Sequence, residues 1–267
     1  MAARPGYPER VELGGVGVWW SGAWDVDGDA STDVAAELES LGYTALWSSG
    51  GFRPGLSTRF ERLLEATTTM SVLSGIVSIW ATPAEEITRA VADLDGRFPG
   101  PFHLGIGASH APIVEIYTRP FSHMVDYLDA LDAAGPEVGR TRRVLAALGP
   151  RMLRLAAERA AGAHPYFVPV ALTARALSRS FTTAYLWLAN YADNLRSLGF
   201  GDEDLADGGS DCLVDAVVAW GSPDDVAARV HEHVAAGADH VCLQVLAPLD
   251  SFPVEAYRRL APVLTGV

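Results

Sequence analysis

Apolar residues in this chain fall into short unbroken runs, separated by longer stretches in which they recur every three or four positions. The runs are Val16 to Trp20, Tyr43 to Trp47, Val72 to Trp80, Phe102 to Ile106, Val144 to Leu148, His164 to Val168 and His240 to Leu246. A strand with one wet face alternates apolar and polar residues, whereas a strand covered on both faces reads as continuous. Between the runs lie helical patterns: Ile87, Ala90, Val91 and Leu94 share one face, and Val226, Val230 and Val234 recur every four residues. Thr82-Pro83-Ala84-Glu85 and Ser222-Pro223-Asp224-Asp225 predict capping boxes with proline in the first turn. Leu41-Gly42, Gly96, Gly162 and Gly237 stand where a helix should end and a strand begin. Buried strands alternating with helices predict parallel pairing through right-handed crossovers. A TIM-type (β/α)8 barrel fits this rhythm best, with a doubly wound open sheet as the alternative.

The runs number seven, and a closed barrel of this type has eight strands. Ser180 to Leu188 reads as a strand by its β-branched and aromatic content and as a helix by its flanks, so the barrel is expected to be shortened or irregular around residues 170–200. No polar or low-complexity linker divides the chain, which predicts a single domain over residues 1–267.

Composition narrows the function. A formal net charge of −13 and the absence of a basic stripe argue against nucleic-acid partners. No apolar stretch is long enough to cross a bilayer. Met1 to Arg10 has no apolar signal-peptide core, and the cytoplasm is the expected compartment. The two cysteines, Cys212 and Cys242, have neither zinc-ligand nor disulfide-framework spacing, and no metal is expected.

In such a barrel the working groups lie at the carboxyl ends of the strands. Arg143 to Met152 runs as a strand, breaks at Gly149-Pro150 and opens into a helix with Arg151 in its first turn. The first amides of a helix have no intrahelical partners and sit at the positive end of its dipole, so this junction suits an anion, a phosphate above all. Another strand ends Leu104-Gly-Ile-Gly-Ala-Ser-His-Ala-Pro112, joining Gly105 and Gly107, where a flat ring could approach the backbone, to the imidazole of His110. Trp19, Trp20 and Trp24 follow the first run and Trp80 the third, offering indoles to wall an organic ligand or to plug the barrel end. No Ser-His-Asp order, paired carboxylates or metal-spaced cluster emerges. His231 and His233, two apart on a helix, face different ways. What remains suits a bound organic cofactor whose ring performs the chemistry.

Val16-Gly-Val-Trp19, Ser74-Gly-Ile-Val-Ser-Ile-Trp80, the Leu104 to Pro112 motif and Ala146-Ala-Leu-Gly-Pro-Arg-Met152 resemble the luciferase-like monooxygenase superfamily. Within it the likeness is to its actinobacterial F420-dependent oxidoreductase branch. Gly162 to Phe167, Asn190 to Phe200 and Gly237 to Val245 extend the resemblance over nearly the whole chain. It implies a barrel that binds coenzyme F420, or FMN in sister groups, and passes a hydride between the cofactor and an organic substrate. Carried over by position, Gly75 and Ile76 match a bulged site, often with a non-prolyl cis peptide, behind the ring. Gly105 and Gly107 match the wall beside it, and Ala147, Gly149, Pro150 and Arg151 the phosphate seat. His110 matches a proton donor or acceptor facing the substrate, and Trp19, Trp24 and Trp80 are candidates to contact the substrate. Relatives are often homodimers.

The chain departs from that pattern in two main places. Many relatives carry an Asp-His pair after the second strand, where this chain has Gly50-Gly51. Relatives also have a further strand and helix after the segment matching Pro165 to Ala174; here only Ser180 to Leu188 stands in their place, and the loop Ile113 to Arg119 is short as well. Three functions follow: an F420-dependent oxidoreductase, an FMN-dependent monooxygenase, or a degenerate barrel serving as a cofactor-free enzyme or binding protein.

Overall fold

The computed structural model describes residues 13–20, 28–49, 58–98, 101–115, 117–166, 182–247 and 252–265. Its strands are β1 (Val16–Trp20), β2 (Ala45–Ser48), β3 (Ser71–Ser74), β4 (Val77–Ser78), β5 (Phe102–Gly107), β6 (Arg143–Ala146), β7 (Gly162–His164) and β8 (Val241–Leu243). Hydrogen bonding orders them β7-β6-β5-β3-β2-β1-β8, with β4 also on β5, and every pairing is parallel. The larger helices between them are α1 (Gly28–Ser40), α2 (Thr58–Ala66), α3 (Ala84–Arg97), α4 (Pro120–Ala134) and α5 (Pro150–Arg159). After β7 come α6 (Ala189–Ser197), α7 (Asp211–Val217), α8 (Pro223–Ala235) and α9 (Val254–Leu264). The curled sheet with alternating helices is the expected barrel architecture, built here from seven strand positions, since β3 and β4 form one.

The expected Val72 to Trp80 strand is broken in its middle. Leu73 pairs with His103 and Val77 with Ile106, so this strand uses one more residue than its neighbour over the same span. The surplus is a bulge at Gly75-Ile76, whose peptide bond is cis. Other boundaries also move. Thr82 does not cap α3, because the cap position falls on Pro83 and the Thr82 carbonyl accepts the buried Tyr127 hydroxyl at 2.8 Å. Gly96 lies inside α3, and Gly162 starts β7 instead of ending a helix, since Ala160 closes α5. The Ser222-Asp225 capping box forms as expected, and Gly237 at φ +105° follows the helix it starts. Residues 182–186 of the ambiguous segment are helical.

Alternation within each strand divides the side chains between two cores. Val16, Val18, Trp20, Leu46, Val72, Leu104, Ile106 and Leu145 face outward into one core shared with the helices. Ala45, Trp47, Leu73 and Val144 face the bore, with Leu13, Trp19 and Cys242 packed against them.

The sheet formed by the described residues does not close. Among the described residues no ladder joins β7 to β8. Burial records the consequence: every residue of β2 and β3 is buried, whereas β8 is half-buried throughout and Ala163 of β7 is exposed. The predicted apolar stripe of α8 is likewise incomplete. Val230 is buried, but Val226 is half-buried and Val234 is 44% exposed. A cleft of about 940 Å³ opens along this seam, lined from the bore by Trp19, Trp47, Val144 and His164 and from outside by α8 and α9.

Candidate active site

The carboxyl ends of β4, β5 and β6 place several of the predicted site residues at one mouth. A Cβ on Gly107 would lie 3.0 Å from both Ile76 Cγ1 and Ala146 Cβ, so Ile76 from the bulge packs over Gly107 and next to the end of β6. Trp80 is fixed on the same side: its Nε1 donates to the Ala108 carbonyl at 2.5 Å, and its ring stacks on His123 of α4 at 4.1 Å. Ser109 follows with φ +57°, and its buried Oγ has no hydrogen-bond partner among the described residues.

His110 comes next. Its Nδ1 lies 3.2 Å from Asn190 Oδ1 at the start of α6, and its ring lies 5.4 Å from that of Tyr191. An amide oxygen only accepts, so Nδ1 carries the hydrogen and Nε2 keeps the lone pair. Burial lowers the imidazole pKa below the usual histidine value, and the Asn190 contact offsets part of that shift. His110 is therefore a neutral base at pH 7.

At the neighbouring strand end, Gly149 and Pro150 are exposed at the first turn of α5. No side chain caps this turn, and no atom lies within 4 Å of the position a Gly149 Cβ would take. Leu153 N bonds back to the Gly149 carbonyl, while the earlier amides of the turn point outward as helix geometry requires. The Arg151 guanidinium lies over the Phe121 ring, 4.1 Å from its centroid, and Ala147 is buried behind the turn. The open amides, the uncapped turn and the unpartnered Ser109 hydroxyl fit an elongated anionic cofactor with a flat head.

Gly105 has a different reason to be glycine. A Cβ there would fall 1.8 Å from the Ser74 carbonyl oxygen, and the Ser74 hydroxyl donates to the Gly105 carbonyl and accepts its amide, each at 2.9 Å. It locks the bulge from behind. Gly75 lies against two indoles: its Cβ position is 2.9 Å from Trp19 Nε1 and 3.6 Å from Trp47 Cε3. Trp19 thus lies in the bore and its neighbour Trp20 on the helix side, stacked near Phe252 at 4.5 Å. Trp24 and the Gly50-Gly51 pair lie outside the described residues.

The bore itself holds a column of rings of which the sequence singled out only His110. His240, Trp47, His164, Tyr166, Tyr185, Tyr191 and His110 follow one another with centroid separations of 4.3 to 6.5 Å. Trp19 and Trp47 sit side by side in the β1–β2 register, a signal available only once that register is known. Tyr166 donates to Gln244, and Tyr185 donates to the Tyr166 hydroxyl at 3.2 Å. Burial, with His240 adding to it, holds His164 at a pKa of about 4 and hence neutral. Of the predicted site residues, Trp19 alone lines the lateral cleft; the others gather at the strand-end mouth or lie outside the described residues. Among the described residues no histidine, cysteine and carboxylate cluster could hold a metal, and no helix is long and apolar enough to cross a membrane.

Comparison with solved structures returns the same architecture. The coenzyme F420-dependent tetrahydromethanopterin reductase from Methanopyrus kandleri is 14% identical over 97% of this chain and 99% of its own, with a TM-score of 0.62. An F420-dependent secondary alcohol dehydrogenase, solved with an F420-acetone adduct, is 12% identical over 93% and 98% at a TM-score of 0.64. A monooxygenase from Streptomyces bottropensis is 14% identical over 95% and 98% at 0.54. At these identities the likeness is one of fold. No family model and no curated protein matches the chain.

Proposed function

We propose that the chain, working as one barrel domain of the luciferase-like kind over residues 1–267, is an oxidoreductase that transfers a hydride between coenzyme F420 and an organic substrate. The observation that carries this reading is the uncapped, exposed first turn of α5 at the same end of the sheet as the Ile76–Gly107 wall and neutral His110. Two structural neighbours that are F420-dependent by name support the cofactor.

In this reading the amides of Gly149, Arg151 and Met152 would hold the phosphate, with the Arg151 side chain adding positive charge beside them. Ile76, Gly107 and, through its lock on the bulge, Gly105 shape the wall, and the Ser109 hydroxyl meets a polar edge of the ring. Bound deazaflavin supplies a carbon centre that gives or takes a hydride. His110 takes or returns the substrate proton at Nε2, held in place through Nδ1 by Asn190. Trp80 borders the substrate, together with Trp24 from its stretch of chain and Trp19 from the bore.

Titration of the purified protein with coenzyme F420, followed by tryptophan fluorescence, should give a saturable change. Gly149→Glu should abolish it while leaving the melting temperature unaltered, because the new carboxylate meets the free amides in open space. Saturation by FMN alone would move the chain to the flavin-dependent monooxygenases, a reading favoured by its monooxygenase neighbour. No response to either cofactor would leave a cofactor-free barrel, for which the ring-filled bore is the supporting observation.

A further inference from the structure

The seam between β7 and β8 carries the features of a ligand site distinct from the strand-end mouth. Its cleft, about 940 Å³, is of the size that takes an organic molecule, since small-molecule sites span roughly 300–1,000 Å³. The bore side is walled by the rings of Trp19, Trp47, Tyr166 and Tyr185, with Trp220, 49% exposed, at the rim. Of the charged groups that line it, Arg229 of α8 is paired with Glu232 at 2.5 Å, and Arg259 of α9 and Asp239, just ahead of β8, are exposed.

Two donors inside this wall lack partners. Trp47 is 3% exposed, and neither its Nε1 nor that of Trp19 finds a hydrogen bond among the described residues. A buried N–H left unpaired is costly, so native proteins seldom tolerate two side by side. Trp47 turns its Cε3 edge toward Gly75, which leaves Nε1 on the opposite edge of the ring, while His164 stacks on the ring face at 4.3 Å. Indole nitrogens donate and never accept, so the complementary ligand brings an acceptor oxygen between aromatic faces. With a neutral imidazole beside them, Arg229 already paired and Asp239 and Arg259 exposed, that oxygen belongs to an uncharged group.

We propose that the lateral cleft binds a planar, neutral, polycyclic aromatic ketone, which enters through the side of the barrel and places its carbonyl against the indole N–H group of Trp47. The site owes nothing to the cofactor, so its test uses the full chain with no coenzyme added. Equilibrium dialysis would compare 9-fluorenone with fluorene, which has the same outline and lacks the carbonyl. Fluorenone should bind about tenfold more tightly, the ratio expected of one buried hydrogen bond. Trp47→Phe, which keeps the ring and removes the donor, should bring that ratio close to one.

Gly162→Phe should abolish binding of both molecules. Gly162 shares the bore face of β7 with His164, lines the cleft, and has no atom within 4 Å of its Cβ position, so the new ring fills open space. Absence of fluorenone binding, equal affinity for the two molecules, or binding that survives Gly162→Phe would each overturn the proposal. So would a dimer that Gly162→Phe converts to monomer with fluorenone binding intact, because a second copy would then own the seam. The wild-type ratio decides the matter by itself should either variant melt early.

Discussion

Replacing Gly105 with alanine separates the two roles this residue can play. As an open wall beside a flat ring, it would accept a methyl group with no loss of stability and a weaker grip on the cofactor. The structure instead puts the new Cβ 1.8 Å from the Ser74 carbonyl oxygen, where real contacts do not fall below 3.0 Å. Backbone must therefore move by roughly an ångström in a sheet paired on both sides of β5. That shift breaks both hydrogen bonds between the Ser74 hydroxyl and the Gly105 backbone. Each is worth about 1 kcal/mol, overpacking adds about 1–3 kcal/mol, and the stiffer unfolded chain returns about 0.5 kcal/mol. The net cost is about 3 kcal/mol, which in a domain of this size lowers the melting temperature by roughly 6 °C. Circular dichroism melts at pH 7.5 would measure it, with Gly149→Ala as the control in open space. A Gly105→Ala protein that melts within about 2 °C of wild type would refute the packing argument and return Gly105 to the cofactor wall.

Acid should weaken the fold through its histidines. Burial, reinforced by Arg142 at His103 and by His240 at His164, holds both pKa values at about 4. Their contribution is complete above the unfolded value of about 6.5 and drains away as pH falls toward 4. The melting temperature should therefore slope downward over that interval, and the double variant His103→Gln/His164→Gln should flatten the slope; an unchanged slope would contradict the assignment. Glu39 acts in a lower window. Burial opposes its ionisation, but the amides of Thr69, Met70 and Thr68 and the Thr69 hydroxyl outweigh it and hold the carboxyl at about 2. Its stabilisation is present above about pH 4.5 and lost as pH falls toward 2. Glu39→Gln should cost about 1 kcal/mol at pH 7 after solvent screening, and progressively less in acid, as read from urea melts.

The sequence made the architecture readable because buried parallel strands announce themselves as continuous apolar runs and their helices as four-residue stripes. Six of the seven runs coincide with a strand of the sheet to within a residue or two at its start, with Val16 to Trp20 matched end to end, whereas the His164 to Val168 run meets β7 only at His164, because that strand starts two residues earlier at Gly162. Boundaries failed where tertiary contacts overrode local signals: Tyr127 took the Thr82 carbonyl, and Gly162 joined a strand edge. The irregularity around residues 170–200 was signalled by seven runs where a closed barrel has eight and sharpened by the family resemblance, but its consequence needed three dimensions. Nothing in the sequence around Val234 marks it off from Val226 and Val230, yet it is 44% exposed. Likewise Gly-x-Gly in Leu104 to Gly107 suggested a ring wall at both glycines, while the carbonyl packed against the first comes from a strand 31 residues away. Trp47 and His164 were assigned no role, although His164 lies within the Gly162 to Phe167 motif, because only register and stacking bring them together.

The open seam also bears on how these molecules meet one another. Among the described residues β7 and β8 are the end strands of one parallel sheet and present opposite sides, so one end of a molecule's sheet is complementary to the other end of the next. Such a joint is head-to-tail and has no twofold axis, and repeating it yields a filament or a ring of many subunits, not a closed pair. The net charge of −13 opposes that growth. Solubility should accordingly fall as salt screens the repulsion, which sets an upper limit on the protein concentration that high-salt buffers can hold.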